Sequence, residues 1–426
     1  MLFKSPKKLI RSCVVVAWLL CVFGVGVFRL NAQESVRPST FGFNALKAEK
    51  QKPAFRNYNL KMRDVTVDVS GGIEFEFNDN VGISQVDRQS DLLIRPQLRL
   101  NTEWQASQLN TLKLNVGIGY TKYLSNNQLD TQTLMVDPGT ELTFDVYIGE
   151  TLRLNFHERL SIVQNPIDDP SLSNALRFDR FQNALGVTAY WDLNDVNVSL
   201  GYDNYTYIAL GEDFSYMNRQ EQQFSGTVGL RISDALSVGM EAQVALVNFE
   251  ENYNNDANSG SLGFTADAAL SSYTKLRLAV GGQFMLFSSG GESGDTDDFT
   301  GWYGNISVVN RLNQHWSHTL TVGREARLGL AVNFSDYIFA RYAAEWRASS
   351  RLSLSMETFV ESADESGGVE QGSEKAFRYG AGVSTSWRIN EKLVLGLRYR
   401  YVNKDSDQIL RSYYQNVGTI SLNYDF

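Results

Sequence analysis

The chain has 426 residues, 43% hydrophobic and 20% charged, with 34 glycines, 7 prolines, 2 cysteines and a formal charge of −9. An ordinary apolar and aromatic share excludes intrinsic disorder, and two cysteines in this length exclude a disulfide scaffold. The excess of 48 acidic over 39 basic residues disfavours charge-driven nucleic-acid binding, and the overall hydropathy is too polar for a helical membrane protein. Length alone suggests two or three domains.

Residues 1–32 stand apart. Lys4, Lys7, Lys8 and Arg11 precede an apolar stretch from Cys13 to Phe28, then Leu30-Asn31-Ala32 and the polar Gln33-Glu34. A basic start, an apolar core and a small residue before a polar stretch read as a secretory signal cut after Ala32. The competing reading is an uncleaved anchor helix, which sixteen apolar-biased residues nearly suffice to make. A lipoprotein site at Cys21 fits poorly, because Trp18-Leu19-Leu20 stands where small residues are wanted. With the signal go five basic residues (Arg29 is the fifth), leaving 34 basic against 48 acidic and a net charge of −14. Cys13 and Cys21 also leave, so thiol catalysis and thiolate metal sites are excluded for the mature chain.

From Gln33 to about Arg63 the chain is polar and basic without a period, and reads as a linker or short plug. Beyond it, alternation with a period of two recurs to the last residue. In the first segment Val65, Val67, Val69, Ile73, Phe75 and Phe77 share one face, and Thr66, Asp68, Ser70, Glu74 and Glu76 the other. The next two run from Leu92 to Trp104 and from Leu112 to Tyr120. Further strands are predicted near 140–148, 152–162, 181–191, 196–207, 222–232, 236–249, 262–271, 276–287, 300–310, 316–329, 336–347, 352–360, 376–387, 393–403 and 413–426. The total is eighteen, or sixteen if 140–148 and 152–162 lie outside the wall.

The connections alternate between short and long. Asp192–Asp195, Ser233–Ala235, Ser272–Lys275, Ala348–Arg351 and Ile389–Lys392 are short, whereas Asn78–Asp91, Val163–Arg180, Glu250–Gly260, Ser288–Phe299 and Glu361–Lys375 are long and polar. Short turns on one side and long loops on the other are the layout of an outer-membrane barrel. Trp104, Trp191, Trp302, Trp316, Trp346 and Trp387 near strand ends suit its aromatic girdles. No proline follows Pro170, so later strands can donate a full backbone ladder, as lipid requires. Pro96 lies inside the second strand and predicts a bulge or local opening. Ile420, Leu422, Tyr424 and Phe426 form an alternating, Phe-terminated strand that resembles the signal read by the barrel assembly machinery. The expected fold is therefore all-β, one transmembrane antiparallel barrel over 64–426 with both termini on the periplasmic side.

In such a barrel the polar face lines the lumen. Parity places Arg95, Arg99, Arg327, Arg341, Arg347, Arg378, Arg398 and Arg400 there, with Asp68, Glu74 and Glu76 among the acids. Arginines concentrate in the thirteenth to seventeenth strands and acids in the first, so segregated charge on facing walls would set a transverse field across a wet pore. The plainer reading is cross-strand pairing, such as Glu74 or Glu76 with Arg95 or Arg99.

Catalysis and metal binding find little support. His315 and His318 are three apart in a strand and face opposite sides, and His157 is alone, with no base and nucleophile paired. Gly290-Gly291-Glu292-Ser293-Gly294-Asp295 misses the spacing of calcium repeats, so this acidic loop reads as solvated surface, as does the loop carrying Glu361, Asp364, Glu365 and Glu370. Such loops also suit divalent cations bridging to lipopolysaccharide phosphates.

The run Ile73-Glu74-Phe75-Glu76-Phe77-Asn78-Asp79-Asn80-Val81, followed by Ser90-Asp91-Leu92-Leu93-Ile94-Arg95-Pro96, resembles the opening of the putative beta-barrel porin 2 family. The resemblance spans some thirty residues and implies an outer-membrane barrel, in some members linked to exopolysaccharide export; it transfers no catalytic residues. The leading expectation is a passive, porin-like channel for small or oligomeric polar solutes, saccharides included, in contact with outer-membrane lipid and lipopolysaccharide. It needs no cofactor and binds no nucleic acid; porin analogy alone raises a homo-oligomer. The alternative is a structural or envelope-assembly barrel, an accessory of exopolysaccharide export, whose pore is blocked by residues 33–63 or by infolded loops. Too little chain precedes the first strand for the folded plug of a TonB-coupled transporter.

Overall fold

Alternation lets each strand bury a polar face and present an apolar one, but a sheet edge in lipid would strand its N–H and C=O groups, so the sheet must close. The computed structural model, which describes residues 58–131, 134–164, 170–367 and 373–426, shows that closure. The strands in chain order are β1 (Leu60–Met62), β2 (Val65–Asn78), β3 (Asp91–Gln105), β4 (Thr111–Gly119), β5 (Lys122–Tyr123), β6 (Met135–Ile148), β7 (Leu152–Val163), β8 (Arg180–Leu193), β9 (Val196–Ala209) and β10 (Arg219–Ser233). They continue as β11 (Leu236–Phe249), β12 (Ala257–Ala269), β13 (Thr274–Phe287), β14 (Phe299–Asn310), β15 (Trp316–Leu328), β16 (Phe334–Arg347), β17 (Leu352–Glu365), β18 (Lys375–Arg388), β19 (Leu393–Ser406) and β20 (Tyr413–Asp425). Each pairs antiparallel with its neighbours, and β2 pairs with β20 from Ser70↔Asp425 to Asn78↔Val417, closing the ring. β5 resumes the line of β4, and β1 is a short addition, so the wall has eighteen strands. Both strands near 140–162 belong to it, as β6 and β7. The leader at 1–32 and the segment 33–57 lie outside the described residues.

The faces follow the expected parity. Leu98, Leu262, Phe264 and Val383 are 45–63% exposed on the outer surface, while Arg95, Glu241 and Glu361 on the opposite parity are buried. Five of the strand-end tryptophans, Trp104, Trp191, Trp316, Trp346 and Trp387, stand at the short-turn rim, where Trp316 and Trp346 stack with centroids 5.2 Å apart. Trp302 alone marks the long-loop rim, under the Arg324 guanidinium at 4.8 Å.

The wall is irregular in several places. Opposite Pro96 the partner strand breaks between Gly119 and Lys122, as the missing N–H requires. A second proline also lies in the wall: Pro138, in β6, sits where the β4–β6 register shifts between Asn115 and Ile118. There the Thr140 hydroxyl takes the Gly117 N–H at 3.1 Å, replacing the lost ladder bond. At the long-loop end β14 pairs with β15 only from Gly304 onward, and Gln283 reaches across to bond both the N–H (3.0 Å) and the C=O (2.8 Å) of Ala326.

At the seam, β1 covers the edge of β2 beyond the end of β20, pairing Leu60↔Val67 to Met62↔Val65. Asn59 completes it, donating to the Phe426 carbonyl and to Val69 O at 3.1 Å and accepting from Val69 N at 2.8 Å. Asn59→Ala removes this latch and is expected to cost about 1 kcal/mol, read as a lower temperature for the folded-to-unfolded mobility shift on semi-native gels. An unchanged transition temperature would show that the latch bears no load.

Candidate functional site

The lumen collects the polar face of every strand, and most of its charges are paired locally. Arg95 contacts Glu74 at 2.9 Å and Glu76 at 2.5 Å, the cross-strand arrangement that the plainer reading anticipates. Arg99 reaches Asp137 at 3.3 Å, and Asp68 accepts from Asn101 at 3.2 Å. Arg327 pairs with Glu325, Arg347 with Glu345 at 2.5 Å, and Arg398 with Glu357 at 3.5 Å. Arg400 lies 6.0 Å from the Phe359 ring. Arg378 and Arg341 both meet Glu361, to which the Tyr337 hydroxyl also donates.

Glu361 is a correction to the sequence reading, which put it in an exposed loop. It sits inside β17, fully buried beside Arg378. Glu365 likewise belongs to the strand and is buried, whereas Asp364 points outward and is exposed. The signal existed: 357, 361 and 365 share one parity, and ending the strand at 360 hid it. Asp295 is a second correction. It is not solvated but 1% exposed, accepting from the Asn333 N–H (2.8 Å), the Ser366 hydroxyl (2.6 Å) and the Asp297 N–H (3.0 Å).

Closure also corrects the map of charge. β2 and β19 are separated only by β20, so the acids of β2 adjoin the arginine strands rather than face them. In a ring of eighteen, the strand nine places from β19 is β10. The wall that faces Arg398 and Arg400 therefore carries Glu221, with Asp203 and Glu241 on the flanking strands. Around Arg398 and Arg400 the lumen face is small and hydroxylated, with Ser353, Ser355, Gly382, Ser384, Gly396 and Thr419. The Arg398 side chain remains 48% exposed, so its charge is available to water.

At the long-loop end the connections fold together over the lumen. Ile83, Leu172, Ala175, Val402 and Tyr413 form a buried cluster joined by Phe214, Leu330 and Phe359. Its members come from four different loops and from the lumen faces of β17, β19 and β20. Phe178, Met217 and Tyr207 make a second cluster, with Phe178 edge-on to Phe214 at 4.4 Å. Burial pushes the Tyr216 phenol up to about 12, so it stays protonated beside Tyr253.

Buried charge ties this cap to the wall. Glu374, fully buried, meets Lys404 and Arg411 at 2.8 Å each, and Lys404 also donates to Ser173 at 2.8 Å. Lys404 has the parity of Arg398 and Arg400, but ending that strand at 403 left it unnoticed. The Asn78-Asp79-Asn80 run builds the first loop: Asn80 donates to Ser84 O and Tyr414 O at 2.9 Å, and Asp79 accepts from Asn416 N at 2.7 Å and Arg88 at 2.7 Å. Asp91 accepts three successive backbone N–H groups, Leu124 to Asn126, at 2.8–3.0 Å. No grouping of ligating side chains suited to a metal ion occurs among the described residues.

A closed antiparallel barrel with a polar lumen, an apolar girdle and long loops gathered at one end defines the outer-membrane porin class. Residues 66–275 match the family described as Putative beta-barrel porin 2, and the chain belongs to that family over this span. A comparison with curated proteins finds no match. Among solved structures, Pseudomonas aeruginosa OccK2 (OpdF) in complex with glucuronate superposes with a TM-score of 0.52 at 10% identity, covering 86% of this chain and 99% of that one. OpdK from the same organism gives 0.51 at 8% identity over 84% and 99%, and OpdQ gives 0.50 at 10% over 86% and 100%. These likenesses are of fold. Family and fold together place the protein among outer-membrane porin-like barrels and point to a channel rather than an enzyme.

Replacing Glu374 by Gln removes the carboxylate that Lys404 and Arg411 share, a disruption of about 3–5 kcal/mol for a buried ion pair. Limited proteolysis of the intact protein should then cut within 164–179 or 407–412, while the barrel itself stays resistant. Equal resistance of both segments would mean that this network does not hold the cap.

Proposed function

We propose that the protein is a passive outer-membrane channel for small or oligomeric polar solutes. The observation that carries this reading is the lumen wall of β16–β20, where arginines stand among serines, threonine and glycines and the Arg398 guanidinium stays half exposed. Small hydroxylated neighbours leave room beside a fixed cation, and a fixed charge in a wet, low-dielectric-walled pore biases which ions pass. The acids of β10 and β11 across the lumen supply the opposite sign, so a polar solute is oriented as well as admitted.

A blocked structural or envelope-assembly barrel is the second reading, favoured by the apolar loop clusters over one mouth. Residues 33–63 remain a linker or plug in either case; their described end, Tyr58–Arg63, is seated at the seam. Ile420, Leu422, Tyr424 and Phe426 are the outward row of β20 that the assembly machinery would read, and outer-membrane lipid and lipopolysaccharide the surroundings of the apolar face. Export would require the leader at 1–32, cleaved after Ala32.

Planar-bilayer recording on the purified protein separates the two readings. Stable ion conductance supports the channel, and the combined Arg398→Glu and Arg400→Glu substitution should move its reversal potential toward cation preference. Silence of the full chain with conductance after deletion of 33–63 supports a plugged barrel, and silence of both overturns the channel.

A further inference from the structure

β10 and β11 each carry a Glu-x-Gln triplet on lumen parity, Glu221 and Gln223 on one, Glu241 and Gln243 on the other. The register Gln223↔Ala245, Ser225↔Gln243, Thr227↔Glu241 sets them along one oblique stripe: Glu221, Gln223, Gln243, Glu241. Diagonal neighbours in such a pair lie about 7–8 Å apart, within reach of long side chains. All four are buried, with exposures of 2%, 8%, 7% and 7%. At the centre of the stripe two amide atoms have no hydrogen-bond partner, Gln223 Oε1, an acceptor, and Gln243 Nε2, a donor. Leaving buried amide atoms unanswered costs stability, and folded proteins rarely do so without a reason.

The surroundings narrow the chemistry that would answer them. Glu241 is met by the phenol of Tyr303 at 2.7 Å. Its side chain crosses two glycines, Gly263 and Gly281, where an added Cβ would lie 2.1 Å from the Tyr303 hydroxyl and 2.6 Å from its ring, respectively. Tyr205 stands directly opposite Glu221 on β9. The stripe therefore offers two carboxylate acceptors, one amide acceptor, one amide donor and two aromatic rings. A cation would answer the carboxylates and the Gln223 oxygen but leave the Gln243 N–H unsatisfied; an anion would answer only that N–H. A hydroxyl both donates and accepts, and a row of hydroxyls on a ring with apolar C–H faces answers every group.

We propose that the Glu221–Gln223–Gln243–Glu241 stripe is a solute subsite for neutral saccharides, with the two glutamine amides sharing a single sugar hydroxyl and the carboxylates accepting from its neighbours. The subsite rests on the channel reading, because it lies on the lumen wall facing Arg398 and Arg400. Together the two walls would hold a sugar by its hydroxyls on one side and leave the arginines to set ion preference on the other.

The test uses the full-length protein and raffinose, a neutral trisaccharide. Isothermal titration in detergent reads binding, and planar-bilayer recording reads raffinose block of the ion current. Raffinose should bind and block the unsubstituted protein, and both effects should weaken by about tenfold or more in Gln223→Ala/Gln243→Ala, with conductance retained. Should the double variant not assemble, as judged by its mobility on semi-native gels, Gln243→Ala alone carries the comparison. Absence of raffinose binding, binding unchanged in the variants, or heat released on titrating sodium ions in its place would each overturn the subsite. Conductance without raffinose binding removes the subsite and leaves the channel; raffinose binding without conductance removes the channel and leaves the subsite.

Discussion

The constraint on which the rest depends is that a sheet surrounded by lipid can leave no backbone donor or acceptor unpaired. It explains why the chain forms one ring rather than several domains, and why the last strand lies beside the first of the wall. The same constraint shows in the repairs. Where β6 carries Pro138, a threonine hydroxyl stands in for the ladder, and where β14 leaves β15, the Gln283 amide bonds both backbone groups of Ala326 as a strand would. At the seam β20 stops short, and β1 with Asn59 covers what it leaves open.

Ring closure also decides how the charges act. In linear order the acids of β2 and the arginines of β15–β19 look like opposite poles, but in the ring they are neighbours. Most of the arginines are then held by acids on their own or adjacent strands, and the burial of Arg378 against Glu361 is structural in character. What can act on a solute is smaller and more definite: the half-exposed Arg398 beside Arg400 on one wall, and a carboxylate and amide face on the wall across from it.

The mouth follows from a different balance. Long polar loops carry isolated apolar residues, too few in each to make a core alone. Ile83, Leu172, Phe214 and Leu330 bury one another only because the barrel brings their loops to one end. The Asn-Asp-Asn run that carries the family resemblance spends its side chains on the same task, folding the first loop and fastening it to β20. A motif at a strand end is thus an anchor for the cap of the pore rather than a chemical site.

The period of two and the alternation of turn and loop lengths were enough to read eighteen strands and their two faces, because parity propagates rigidly along a strand. Pro96 announced its own interruption. Strand ends were not legible, since alternation fades into loops that are also polar, and so Glu361, Lys404 and Glu221 were misplaced or passed over. Which charges meet was decided by tertiary structure alone: partners such as Lys404 and Glu374, or Gln283 and Ala326, lie 30 and 43 residues apart. Ring closure and loop packing bring them together, and a linear period carries no record of either.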